Sequence, residues 1–189
     1  AGIAEAMRYI GIAATATIAD IVPLVSDNRV IVHYGLDAIN KPDADIVYRV
    51  WKKALNLQEV KASDVMFQVA PRLNAAGRID DASKVIDMYL TESPTEIMRM
   101  FEELTSDNNE RKAICDKMIV EAREKLLSYD LTQNRIIVLK DKGWNAGTVG
   151  IAAAKIAEEF SRPTILLAEK EDGALRGSAR SIPGLNLFE

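Results

Sequence analysis

From Thr95 to about Ser128 the chain carries neither Gly nor Pro. Apolar residues recur there at Ile97, Phe101 and Leu104, and again at Cys115, Met118, Ile119, Ala122 and Leu126. That spacing puts them on one face of a helix. At about 1.5 Å per residue such a helix would reach roughly 50 Å. Its centre, Thr105 to Lys112, is polar on all sides. The pattern therefore predicts two packed ends, an exposed middle and a connector between two lobes. An antiparallel or dimeric coiled coil is the alternative, but the heptad breaks in that centre.

Ahead of this element the chain reads as mostly helical. Ala1 to Met7 has the pattern of a helix joined midway, with no capping residue before it. A small-residue segment, Thr15 to Asp20, is stopped by Pro23. Asn28 is placed to cap a helix over 29–40, and Asp43 or Asp45 one over 46–55. Ser63 is placed to cap a helix that carries Val65, Met66, Val69 and Ala70 and runs into Pro71-Arg72-Leu73-Asn74-Ala75-Ala76-Gly77-Arg78. A short helix is expected over 81–90, and Ser93-Pro94 opens the long one. Beyond Asp130 the texture changes. Strand-like runs cover 135–139, 163–168 and 175–182, with a helical stretch over 147–160. Strand, Gly-rich turn, helix, strand is an α/β unit with a parallel pair. The expected fold class is α/β, with two lobes joined by a long helix. The division is a mostly helical part over 1–92, a linking helix over 93–129 and a small α/β domain over 130–189.

Composition narrows the picture only a little. Of 189 residues, 48% are hydrophobic and 28% charged, as in an ordinary globular protein. No apolar run approaches the roughly 20 residues of a membrane helix, and no basic-then-apolar leader opens the chain. Cys115 is the sole cysteine, which excludes an intramolecular disulfide and leads us to expect the cytoplasm. Lying within a helical pattern, it reads as a packed thiol. The net charge of −4 means that binding to nucleic acid would need a locally basic surface.

Four strings carry candidate chemistry. Asp20 stands in Thr17-Ile18-Ala19-Asp20-Ile21-Val22-Pro23-Leu24. Flanked by apolar residues, it is expected to be partly buried, where a carboxylate needs a cation or donors. It suits either a hard divalent metal or a turn before Pro23, and the residues alone favour the turn. The single histidine, His33, lies in a helical pattern beside Tyr34 and reads as structural. In the second string, Arg72 and Arg78 flank Asn74 and small residues, which suits a close backbone approach and planar recognition of phosphate. The alternative is a helix end with Gly77 as its left-handed cap and the arginines paired with Asp80 and Asp81. Third, Gly143-Trp144-Asn145-Ala146-Gly147-Thr148-Val149-Gly150 lies between a strand and a helix. Free amides there suit an anion; as a tight turn, the favoured reading, Gly150 would let the helix sit close on the sheet. The Lys-Ser/Thr ending of a Walker loop is absent. Last, Arg176, Ser178 and Arg180 alternate along one strand and so share a face. They form either a phosphate cradle or a charged edge that discourages aggregation.

Taken in order, these strings resemble motifs of the DHH phosphoesterases, and of the RecJ-type single-stranded-DNA exonucleases within that family. Thr17 to Leu24, followed by Asn28-Arg29, resembles the motif whose Asp ligates Mn²⁺ or Mg²⁺. Pro71 to Arg78 resembles a string of the RecJ type rather than of the smaller DHH enzymes. Gly143 to Gly150 resembles the opening of the DHH-associated domain, which usually carries His where this chain has Asn145. Leu175 to Gly184 resembles that domain's substrate-binding strand. The resemblance covers about 10–187.

It implies that 1–92 is the C-terminal part of a DHH domain and 130–189 a truncated DHH-associated domain. It implies Asp20 as a metal ligand and catalytic residue of a two-metal Mn²⁺ or Mg²⁺ site, incomplete here because the family's Asp-His-His triplet and other acidic motifs are not in this sequence. It further implies Arg72, Asn74, Arg78, Ser178 and Arg180 as contacts to single-stranded DNA. The parent activity would be 5′-to-3′ exonuclease action in DNA repair and recombination, the chain alone being inactive, with no membrane partner and protein partners undefined. Asn145 removes any role that needs an imidazole there. A small-substrate DHH phosphoesterase, acting on oligoribonucleotides or nucleoside phosphates, is one rival reading. A non-catalytic nucleic-acid-binding module and a purely structural helical dimer are the others.

Overall fold

The computed structural model describes residues 2–79 and 81–187. The chain forms two compact units, Ala1–Asn108 and Asn109–Glu189. The fold class is α/β: mostly helical, with one three-stranded sheet. Among the described residues no helix is long and apolar enough to cross a membrane.

The first unit is helical throughout: α1 (Ile3–Arg8), α2 (Ile10–Ala19), α3 (Ser26–Asn40), α4 (Ile46–Ala54), the short α5 (Ala62–Asp64), α6 (Ala70–Ile79) and α7 (Ser83–Leu90). The long α8 (Pro94–Leu126) begins in this unit and continues past its boundary. Its core centres on Trp51, which is fully buried. Trp51 meets Tyr48 and Tyr89 edge to face at ring-centroid distances of 5.3 and 5.9 Å, and Phe101 lies 6.3 Å away. Aromatic pairs in such geometries add about 0.5–1.5 kcal/mol each beyond their area burial.

Between α5 and α6 the chain makes a π-helical turn, Val65–Val69. The cause is Pro71, which has no N–H and whose ring would strike the carbonyl of residue 67 in a regular helix. Widening the turn, with the Ala70 amide reaching the Val65 carbonyl, admits the proline without breaking the rod. Three sequence expectations change here. Gly77 lies inside α6 and not in a left-handed cap; among the described residues the positive-φ glycines are Gly173 and Gly184. Asn28 does not cap α3, which starts at Ser26; its amide donates to the Pro23 carbonyl at 3.1 Å and ties down the preceding loop. The turn at α5 is capped by Asp64, whose Oδ2 accepts the Lys61 amide at 2.9 Å, and not by Ser63.

The polar centre of α8 is also not simply exposed. Asn108 is 2% exposed, Thr105 accepts a hydrogen bond from Arg72, and Asp107 pairs with Lys84 of α7 at 3.7 Å. Polar side chains here are spent on packing neighbouring helices, which periodicity alone does not reveal.

In the second unit the sheet runs β1 (Ile137–Asp141), β2 (Thr164–Glu169), β3 (Leu175–Arg180), in that spatial order. β1 and β2 are parallel, joined through α9 (Val149–Phe160), and β3 returns antiparallel to β2. Ile137, Leu139, Leu166 and Ala168 meet Val149, Ala152, Ala153 and Ile156, with Cys115, Met118, Ile119, Ala122 and Leu126 of α8 completing the core. Burial pushes the Cys115 thiol up, as suits a packed thiol.

Strand β3 can lie this close to β2 only because residue 177 has no side chain. A Cβ on Gly177 would fall 2.3 Å from the Leu166 carbonyl oxygen and 2.5 Å from the Leu167 side chain. Gly177→Ala is therefore expected to lower unfolding stability by about 1–3 kcal/mol, the usual range for overpacking, as read by urea denaturation. An unchanged midpoint would show that β3 is not held in this register.

Candidate nucleic-acid interface

Two strings of the second unit converge on one point. β1 ends at Asp141, whose Oδ1 accepts the Gly143 amide at 2.8 Å and whose Oδ2 meets Lys125 Nζ at 2.9 Å. The Gly143 bond first, then Lys125, hold this carboxyl below the usual carboxylate range. Trp144 is buried and donates its indole N–H to Glu121 at 2.9 Å. Asn145 then shapes the start of α9. Its Oδ1 accepts the Gly147 and Thr148 amides at 2.8 and 3.2 Å, and its carbonyl accepts the Val149 amide at 3.0 Å. The Asn145 side chain thus serves as a backbone-capping acceptor.

The next residue, Gly150, lies against β3. A Cβ there would sit 3.0 Å from Arg180 Nη2 and 3.1 Å from Ser178 Oγ. The strand register explains the meeting. Arg176, Ser178 and Arg180 stand opposite Ala168, Leu166 and Thr164, which are all buried, so this is the face on which α9 packs. Arg180 Nη1 donates to Ser178 Oγ and to the Ala179 carbonyl, each at 3.0 Å. With its oxygen accepting from Arg180, the Ser178 hydroxyl keeps its own proton for a ligand. A guanidinium, a hydroxyl and the positive end of a helix at one spot favour an anion. Both predicted features hold here: Ser178 and Arg180 share a face, and Gly150 brings the helix close to the sheet. Arg176 is exposed on that face.

In the first unit Arg72, Asn74 and Arg78 all lie on α6, but in unlike settings. Arg72 is half-buried. Its Nε donates to Thr105 Oγ1 at 3.0 Å, its Nη1 donates to the Gln68 carbonyl, and its guanidinium lies 5.7 Å from the Phe101 ring centroid. Burial lowers its pKa from the ordinary arginine value. Asn74 and Arg78 are exposed. Asp81 accepts the Ser83 amide and hydroxyl at 2.9 and 2.7 Å, whereas Asp80 lies outside the described residues.

Asp20 caps the C-terminus of α2 and is exposed, not half-buried as its apolar flanks suggested. The chain turns outward immediately after it. Ile21 adopts φ 54 and is 72% exposed. A β-branched residue in that region costs on the order of 1–3 kcal/mol, a strain that tends to collect at functional sites. Among the described residues no group of three or more His, Cys, Asp or Glu could hold a metal ion. His33 is exposed, its ring edge-on to Tyr34 at 5.1 Å, with Asp37 3.9 Å away. A two-metal centre therefore does not fit the residues present, Asp20 offering a single carboxylate.

Residues 133–189 match the DHHA1 domain. Over 189 residues the chain is 40% identical to the single-stranded-DNA-specific exonuclease RecJ of Bacillus subtilis, covering 96% of this chain and 23% of that protein. RecJ of Escherichia coli is 36% identical over 187 residues, covering 95% of this chain and 32% of that protein. Along nearly its whole length this chain is homologous to a part of RecJ. The crystal structure of Thermus thermophilus RecJ in complex with Mg²⁺ superposes with a TM-score of 0.81 at 33% identity, over 96% of this chain and 28% of that one. A structure of exonuclease RecJ bound to manganese gives 0.79 at 32% identity, over 96% of this chain and 44% of that one. The chain thus spans less than half the length of each of these RecJ proteins.

Thr105 escaped the sequence reading. It sits in the polar centre of α8, and nothing local links it to Arg72, 33 residues away. Asp141 was likewise unremarkable in sequence. Because its folded pKa is depressed, its contribution to stability is present above the unfolded value of about 3.9 and is lost as pH falls through the folded pKa. Asp141→Asn is expected to melt below the wild type at pH 7 and to converge with it on acidification below about pH 4. A constant difference across that window, in thermal melts read by circular dichroism, would contradict this.

Proposed function

We propose that this chain is part of a divalent-metal-dependent exonuclease that degrades single-stranded DNA from its 5′ end, and that its own share of the work is to grip the sugar–phosphate backbone. The observation that carries the reading is the meeting of Gly150, Ser178 and Arg180 at the start of α9. There a phosphate oxygen would find a fixed guanidinium, a hydroxyl with its proton to give and a helix terminus, none of which reads a base. Asn74 and Arg78 on α6 form the second contact set, with Arg72 beside them. Grip through phosphates without base contacts suits an enzyme that acts on any sequence. It also explains how an acidic chain holds nucleic acid, since local and not net charge decides.

The names of the RecJ relatives support the substrate class, and none of them points to a small-molecule phosphoesterase. In this reading 1–92 belongs to a DHH domain, 93–129 is the linking helix and 130–189 is the DHH-associated substrate-binding domain. Asp20 would offer a single carboxylate to a divalent ion, since no group of three or more candidate ligands lies among the described residues. The protein would work in the cytoplasm, in DNA repair and recombination.

Fluorescence anisotropy with 5′-phosphorylated single strands and matched duplexes, at two salt concentrations, tests the grip. Single strands should bind more tightly, with log affinity falling linearly in log salt. Arg180→Ala and Arg78→Ala should each weaken binding and flatten the salt slope by about 0.7, the share of one phosphate on a single strand. Ser178→Ala should weaken binding with little change of slope. Binding indifferent to Arg180 and Ser178 would remove the α9 site from the nucleic-acid path.

A further inference from the structure

The two arginines of the Pro71 to Arg78 string look equivalent in sequence and are not equivalent in the fold. Arg78 is exposed, while Arg72 is half-buried, with Thr105, the Gln68 carbonyl and the Phe101 ring around its guanidinium. Thr105 accepts from its Nε at 3.0 Å and itself donates to the Phe101 carbonyl at 2.8 Å. The Phe101 ring beneath the guanidinium is 2% exposed, so the cation covers the edge of the aromatic core. The Gln68 carbonyl accepts from Nη1, and the Gln68 side chain donates in turn to Asp64 Oδ1 at 2.8 Å. A series of hydrogen bonds thus runs from α5 through the π-helical turn and Arg72 to α8. To reach a phosphate, Arg72 would have to abandon these partners and uncover Phe101.

We propose that Arg72 is a positioning residue: it clamps α6 to α8 so that Asn74 and Arg78 face outward to the phosphate backbone, and makes no phosphate contact itself. The proposal rests on the nucleic-acid reading above and divides the roles within it. A lysine could not replace Arg72, because one ammonium lacks the planar fork that serves Thr105 and the Gln68 carbonyl together.

The test combines Arg Nε–H NMR spectra with anisotropy on a 5′-phosphorylated oligothymidylate, using the whole chain. The Arg72 Nε–H signal, assigned by its loss in Arg72→Lys, should exchange slowly and should do so no longer in Thr105→Val. On adding the oligonucleotide the Arg78 signal should move and the Arg72 signal stay. Thr105→Val removes no charge. It should nevertheless weaken binding about threefold to tenfold, the worth of one hydrogen bond, with the salt slope unchanged. Arg72→Met should do the same, the double variant should be no worse than either, and Thr105→Ser, which keeps the hydroxyl, should bind like wild type. A salt slope that flattens in Arg72→Met as it does in Arg78→Met would make Arg72 a phosphate ligand and overturn the proposal. So would full affinity in Thr105→Val. Absence of binding by the wild type would instead sink the nucleic-acid reading, and the positioning role with it.

Discussion

Everything in this chain depends on how α8 divides its side chains. Its first apolar row, Ile97, Phe101 and Leu104, is buried in the core of the first unit. Its second, Cys115 to Leu126, is buried in the core of the other. The larger of these buried side chains contribute about 1.5–3 kcal/mol each, so each core leans on its row. The same helix also supplies the polar partners that orient the candidate binding segments. Thr105 holds Arg72, Glu121 holds Trp144, and Lys125 holds Asp141 at the head of the Gly143 loop. In each unit taken by itself, the candidate contact residues are therefore oriented by the helix that also fills that unit's core.

Charge is used locally. An acidic chain of net charge −4 gathers a guanidinium, a hydroxyl and a helix terminus at one end of α9. Asn145 contributes by consuming the amides of Gly147, Thr148 and Val149, which stiffens the turn that delivers Gly150 to β3. In this chain the asparagine is an architectural element whose effect on an anion passes through the backbone.

The likeness to RecJ extends along nearly the whole of this chain but over a minor part of the RecJ proteins. Its strongest correlate in the structure is the state of the matching segments. Asp20 sits at an outward turn with a strained neighbour, Asn74 and Arg78 are exposed, and Ser178 and Arg180 meet a helix terminus. Of these, only the strain at Ile21 runs against stability, since polar and charged side chains are ordinarily exposed.

Local periodicity let the sequence by itself determine the element types, the α/β class, the long helix and the parallel pair, since these depend on neighbours a few positions apart. The alternation of Arg176, Ser178 and Arg180 was legible for the same reason. Tertiary structure alone decided which partners those residues meet. Gly77 continues a helix because the π-helical turn absorbs Pro71 upstream. Asp20 is exposed because Ile21 turns the chain away, although its flanks are apolar. Arg72 is occupied because Thr105, far along the chain, comes within 3.0 Å of it. Gly150 matters because β3 returns beside α9. In each case the deciding contact joins residues whose separation leaves no periodic trace, and packing selects it only once the cores have formed.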